Sequence, residues 1–142
     1  MQKVLVPFDG SGCVKRALQY LVEFSRGYPQ LEVHVLNVQS APRLYGDYVS
    51  CEMLEQMNAS ALQHAADINA EAADILRDAN IRHQIHQSMG EVVNEVARAV
   101  NALGCDTVVM GTRGMSNLSN LLLGSVASRV VHEVSVPVLL VK

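Results

Sequence analysis

The chain has 142 residues, 49% of them apolar and 18% charged, with a formal net charge of −3. That length suits one domain, residues 1–142, burying roughly two-thirds of its unfolded surface without a disulfide or structural metal. The acidic balance offers no footprint for nucleic acid or an anionic membrane, and the widely spaced Cys13, Cys51 and Cys105 suit a reducing compartment.

Residues 3–6 form a short apolar strand that runs into the turn residues Pro7, Asp9, Gly10, Ser11 and Gly12. The chain therefore opens on a strand rather than a charged n-region with a long apolar stretch, and the expectation is a cytoplasmic protein. Val14, Ala17, Leu18, Leu21 and Val22 have helical spacing, and Gly27 with Pro29 closes that helix. Residues 31–38 read as a second strand, and a loop carrying Pro42, Tyr45, Gly46 and Tyr48 follows over 39–50.

From residue 51 to 80 the stripe Leu54, Met57, Ala61, Ala65, Ile68, Ala72, Ile75, Leu76 and Ala79 predicts one helix of roughly 40 Å. Met53 and Met57 are expected in the core. Residues 81–87 form a third strand, but Arg82, His83, Gln84 and His86 make it polar, which places it at a sheet edge. Val92, Val93, Val96, Val100 and Leu103 mark a third helix closed by Gly104. A fourth strand over 107–110, a glycine-punctuated loop, a helix from Ser125 to about Val134 and a fifth strand over 136–141 complete the chain. The apolar run 121–131 is interrupted by Ser125, Ser128 and Arg129 and is too short to span a membrane.

Strict alternation of strands and helices predicts an α/β fold, a doubly wound parallel sheet of Rossmann-like form. Strand order 3-2-1-4-5 puts the polar third strand at one edge. The order reverses between strands one and four, and open parallel sheets bind ligands at such a point. The two loops that meet there hold Pro7 to Gly12 and Gly111 to Ser125.

The second loop has the chemistry of an anion cradle. Gly111, Gly114 and Gly124 are expected to take positive φ and to leave no Cβ between backbone and anion. Ser125 adds a hydroxyl where the unpaired N–H groups of a helix start point outward. Residues 115–120 supply a polar filling to a loop unusually long for a small domain. The lysine of the common phosphate loop is missing, and Gly10-Ser11-Gly12 is only half of a dinucleotide fingerprint, with Lys15 at the third glycine position.

The spacing Gly111-x2-Gly114-x9-Gly124-Ser125 resembles the ATP-binding signature of the universal stress proteins. The segments 4–11, 106–111 and 137–141 extend the resemblance along the whole chain. It implies that Pro7 and Asp9 lie along the nucleoside, that the Val38 backbone pairs with adenine, and that Met110 packs beside base or ribose. It further implies that Gly111, Gly114, Gly124, Ser125 and Val126 cradle the phosphates of ATP, with Mg²⁺ carried on them near Asp9. Two roles stay open for Asp9: a ligand to ribose or metal, or a turn former bonding the N–H groups after it. Arg113 is either the missing positive charge or a solvated loop arginine.

Other constellations are weaker. His83 and His86 point to opposite faces of a strand and cannot share a metal, and His64 with Asp67 makes only two ligands. Cys13, at a helix start, is either a reactive thiol or a half-buried packing residue. Three functions follow. The chain is an ATP-binding stress-response regulator, a slow ATPase, or a nucleotide-independent interaction module. The crevice shows no His or Glu base, which disfavours the enzyme, and the intact glycine spacing disfavours the third. Residues 136–141, apolar on both faces and at a sheet edge, predict a homodimer through the fifth strand.

Overall fold

The computed structural model describes residues 1–40, 50–114 and 123–142. The expected loop around Pro42, Tyr45, Gly46 and Tyr48, and the polar filling over 115–120, lie outside the described residues. In chain order the elements are β1 (Lys3–Pro7), α1 (Gly12–Ser25), β2 (Glu32–Gln39), α2 (Cys51–Asp78), β3 (Arg82–Met89), α3 (Val92–Leu103), β4 (Thr107–Gly111), α4 (Ser125–Glu133) and β5 (Val138–Val141). They form a five-stranded parallel sheet of order β3-β2-β1-β4-β5. This is the doubly wound α/β architecture expected, with polar β3 at one edge.

Alternation along each strand divides the core in two. Val4, Val6, Val33, Val35 and Val109 face α1 and α2, meeting Val14, Leu18, Leu21, Ala72 and Leu76. Leu5, Leu36, Val108 and Met110 face α3 and α4, meeting Val93, Val96, Val100, Ala127 and Val130. The central strands read as continuous apolar runs because both faces are covered, whereas every residue of β3 is at least partly exposed. Asp106, at the start of β4, accepts N–H bonds from Gln2 at 2.7 Å and Lys3 at 3.1 Å and a hydroxyl bond from Thr107 at 2.7 Å. Partial burial would raise its pKa, but these donors hold the carboxyl below its usual range. They fasten the start of β1 to that of β4.

Helix α2 corrects two expectations. It ends at Asp78, and Asn80 takes φ 56°, so that Asn80 N–H donates to Arg77 O and Ile81 N–H to Leu76 O. A left-handed Asn closes the helix before the apolar periodicity ends. Its buried residues are Ala65, Asn69, Ala72 and Leu76, all in the C-terminal half. At 28 residues it is about 42 Å long, far longer than the strands it covers. Ile68 Cγ2 lies 3.5 Å from where a Cβ on Gly10 would sit, at the C-terminal rim of the sheet. The turns before it pass beyond that rim, so Met53 and Met57 are exposed rather than core.

Sequence reasoning also missed a pair. His34 on β2 and His86 on β3 project from the same face, with Nδ1 of His34 2.9 Å from Nε2 of His86. The rings stack 5.2 Å apart. His83 instead sets Nδ1 2.8 Å from the Ile81 carbonyl. Glu32 Oε1 is 3.0 Å from His34 Nε2 but not aligned for a hydrogen bond. Burial lowers the pKa of both rings, helped at His86 by the charge of His34 and opposed at His34 by Glu32. In a neutral pair one facing nitrogen donates and the other accepts, and protonating both rings would put hydrogens on both.

Two predictions follow from packing and linkage. Leu76→Ala should cost about 2–5 kcal/mol, whereas Met57→Ala should stay within about 0.5 kcal/mol; urea denaturation compares them, and equal losses would mean that the first half of α2 is packed after all. The folded histidine pair has a depressed pKa, so the unfolded chain binds more protons as pH falls below about 6.5 and stability declines there. Thermal midpoints should therefore fall between about pH 7 and pH 5, before most carboxylates titrate, and His86→Gln should flatten the decline. A midpoint that rises on acidification contradicts this.

Candidate functional site

Parallel winding brings the C-terminal ends of β1 and β4 together where the chain order reverses, and a cavity of about 410 Å³ opens there. Small-molecule sites typically span about 300–1,000 Å³. Pro7, Asp9, Val38, Met110, Gly111, Arg113, Gly114, Gly124, Ser125 and Val126 all line it. Residues far apart in the chain thus share one crevice. Phe8, Ser11 and Thr112, whose loops the sequence placed here without giving those residues a role, line it too, as do Val14, Leu36, Asn37, Val92 and Ala127, which sequence reasoning missed. Of the missed residues, only Asn37 carried a signal, as a polar residue inside an apolar strand.

Asn37 is 2% exposed and joins the two strand ends. Its Nδ2 donates to the Phe8 carbonyl at 2.7 Å, and its Oδ1 accepts from Gln39 Nε2 at 2.6 Å. The Phe8 N–H in turn reaches Leu36 O at 2.8 Å. Val38 and Asp9 are thereby held at fixed positions on opposite sides of Asn37. Asp9 Oδ1 accepts the Ser11 N–H at 2.9 Å, so the turn-forming role applies to one oxygen. Its Oδ2 faces Gly114 instead.

The glycines act by space, which corrects the expectation of positive φ at Gly111, Gly114 and Gly124. Positive φ occurs at Gly10, Gly90 and Gly104. A Cβ on Gly111 would fall 2.7 Å from Cys13 Cβ, so this glycine lets α1 approach the end of β4. A Cβ on Gly114 would fall 2.9 Å from Asp9 Oδ2, and one on Gly124 3.2 Å from Thr112 O. Thr112 binds the loop at both ends, donating N–H to Val141 O at 2.9 Å and accepting the Gly124 N–H at 2.7 Å. Cys13 is half-buried, and Arg16 Nη2 donates to its Sγ at 3.0 Å, in keeping with the packing reading. Cys105 is buried, which pushes its thiol up to about 11.

Three helix starts face this rim and differ in their caps. Ser11 caps α1 weakly, its Oγ 3.5 Å from Val14 N–H. Glu91 caps α3 by accepting the Asn94 N–H at 3.0 Å. That bond, and then the Arg129 guanidinium 2.8 Å away, hold its carboxyl below the usual range. At α4 the cap residue is Gly124, with extended φ −65° and ψ 152° and no side-chain cap bond. An anion is repelled by the carboxylate at α3 and drawn to the start of α4, where the cap residue offers the N–H groups no side-chain acceptor. Between them Pro7, Val38, Val92 and Met110 offer apolar surface for a flat ring. Among the described lining residues Asp9 and Arg113 are the only ionisable ones, and no cluster of three His, Cys, Asp or Glu among the described residues could hold a metal.

The sequence profile of the universal stress protein family matches residues 1–142. A universal stress protein of Thermus aquaticus is 30% identical over 139 residues, covering 98% of this chain and 97% of its own. The solved structure of MJ0577 from Methanocaldococcus jannaschii superposes with a TM-score of 0.84 at 25% identity, over 99% of this chain and 95% of that one. A universal stress protein of Arabidopsis thaliana, solved with AMP bound, gives 0.73 at 18% identity over 100% and 92%. Another, in complex with cAMP, gives 0.71 at 22% over 99% and 97%.

If Gly111 serves close packing, Gly111→Ala should destabilise the fold by about 1–3 kcal/mol through the collision with Cys13. Cys13→Gly should restore part of that loss. Urea denaturation of the single and double variants tests the coupling, and additive effects would show that the two positions do not meet.

Proposed function

Because the chain belongs to the universal stress protein family, we propose that residues 1–142 form one nucleotide-binding unit, a cytoplasmic regulator of stress responses that holds ATP in the crevice between β1 and β4. The observation that carries this is the start of α4, where a glycine replaces a capping side chain and Ser125, Val126 and Ala127 line a cavity with apolar walls. An adenine nucleotide matches that layout. The base lies among Val38, Val92 and Met110, the ribose beside Pro7 and Asp9, and the phosphates against Gly111, Gly114, Gly124, Ser125 and Val126. The AMP and cAMP complexes of proteins with this fold support the class of ligand.

The chain has no phosphate-loop lysine, so affinity rests on backbone donors, the α4 dipole and Arg113. One exposed dipole term is worth only about 0.3–1 kcal/mol, and several donors must act together. Asp9 alone cannot chelate a divalent ion, so Mg²⁺ would arrive on the phosphates, within reach of Asp9 Oδ2. Adenine is read by main-chain groups at Val38, which favours ATP over GTP. Asp9 is the only acidic group among the described lining residues and one of its oxygens is committed to Ser11, so hydrolysis is slow at most. Self-association through residues 136–141 completes the proposal: among the described residues β5 pairs only with β4 and ends the sheet.

Calorimetry with ATP, AMP, cAMP and GTP on the purified protein tests the reading. Gly114→Val should drive its side chain against Asp9 and Gly124→Val against the Thr112 carbonyl, and both should lose ATP binding while remaining folded. Ser125→Ala should cost only about 0.5–1.5 kcal/mol, one hydrogen bond. Folded glycine variants that bind ATP like the wild type would show that the loop is not the site.

A further inference from the structure

The buried histidine pair lies beside the crevice wall. By alternation His34, Leu36 and Val38 share one face of β2, and the parallel register sets His86 opposite Leu36 and Ser88 opposite Val38. Leu36 and Val38 both line the crevice. Among the described residues, the contact of His34 Nδ1 with His86 Nε2 is the only side-chain hydrogen bond joining β2 to β3. The Ser88 hydroxyl, nearer the rim, is buried without a partner. Among the described residues β3 pairs with β2 alone, so no second strand holds β3 if that pairing loosens.

The surroundings of the pair set what protons do to it. His34 is 2% exposed, and its Nε2 lies 3.0 Å from Glu32 Oε1. Lys3 of β1 and Arg82 of β3 stand in register with Glu32, and the Lys3 charge opposes protonation of His34. Helix α3 packs over this face of β2 and carries charge only at Glu95 and Arg98, which bond each other. From the opposite face α2 sends Asn69, which is uncharged, to the His86 carbonyl. A first proton therefore fits on His34 Nε2, beside the Glu32 carboxylate, and leaves the bond between the rings intact. A second puts hydrogens on both facing nitrogens and sets two imidazolium rings together where little water reaches them.

Strand β2 carries any such change to the crevice. Gly90 N–H donates to Gln39 O at 2.9 Å on the β3 side, and Phe8 N–H to Leu36 O at 2.8 Å on the β1 side. By alternation Val38 turns its N–H and carbonyl toward the β1 side, past Leu36, the last β2 residue in register with β1. The groups proposed to read adenine thus depend on how β2 is held between its two neighbours.

We infer that the His34–His86 pair is a proton switch on the crevice: doubly protonated, it parts β3 from the crevice end of β2 and weakens ATP binding. The inference rests on the reading of the crevice as an adenine-nucleotide site. Burial lowers the pKa of both rings, so the closed strand pair binds fewer protons than the parted one. The closed form therefore prevails above the usual histidine range of about 6.5 and is lost as pH falls below it. By linkage, bound ATP resists protonation of the rings in turn.

Two readouts on the intact protein test this, calorimetry with ATP and amide exchange at Gly90 without nucleotide. Between about pH 7.5 and about pH 5, wild type should lose at least about fivefold in ATP affinity, and His86→Gln should lose less. Titration of the nucleotide's own phosphates affects both proteins alike and cancels in the comparison. Gly90 protection should fall over the same range in wild type and hold in His86→Gln, with circular dichroism confirming that the variant is folded. Glu32→Gln removes the carboxylate beside His34 Nε2 and should move both changes to lower pH. Parallel losses of affinity in wild type and His86→Gln overturn the switch, as does Gly90 protection that ignores pH. Wild type that binds no ATP at about pH 7.5 overturns the crevice reading; acid loss of Gly90 protection in wild type alone would still establish the strand opening.

Discussion

A parallel sheet sends every crossover helix back against its strands, so every helix start arrives at the rim where the strands end. The unpaired N–H groups of α1, α3 and α4 therefore gather on one side of the molecule, beside the crevice where strand order reverses. What distinguishes them is chemical. Ser11 and Glu91 occupy the caps of α1 and α3, and Gly124 leaves α4 open. A fold-wide constraint supplies the field, and one residue without a side chain decides where an anion enters.

The crevice stays open because backbones approach closely around it. Gly111 admits the first turn of α1, Gly114 leaves room for the Asp9 carboxylate, and Gly124 lies against the Thr112 carbonyl. None of the three needs a left-handed backbone, so their requirement is steric. Asn37 does the complementary work from inside the sheet, tying the ends of β1 and β2 through Phe8 and Gln39. Both strand ends are therefore tied in place by hydrogen bonds within the chain, which limits the ordering cost of binding.

The two edges of the sheet are managed differently. Polar β3 is covered along one face by α2, whose Asn69 donates to the His86 carbonyl at 3.0 Å. The His34–His86 pair fastens its other face to β2. Apolar β5 is packed on both faces, Leu139 and Val141 on the α1 side and Val138 and Leu140 on the α3 and α4 side, yet all four of its side chains stay only half-buried. Burial thus comes from within the chain at one edge, and at the other a large share of apolar surface is left available.

Much of this was legible in the sequence because short-range physics sets it. Strand and helix periodicities, the polarity of β3, and the left-handed closure at Gly104 follow from local pattern. Alternation with right-handed crossovers then leaves few topologies, which is why the order β3-β2-β1-β4-β5 could be set beforehand. Periodicity cannot show where a neighbour stops. Met53 and Met57 keep the helical stripe yet are exposed, since the sheet ends before α2 does. Nor can it measure distance through space. That Gly111 faces Cys13, that His34 reaches His86 across 52 residues, and that Arg16 reaches the Lys142 carbonyl depend on how α1, α2 and the strands come to rest against one another. The sequence by itself determined the elements, their order and the chemistry of the loops; only tertiary packing decided which side chains are covered and which glycines serve space rather than φ.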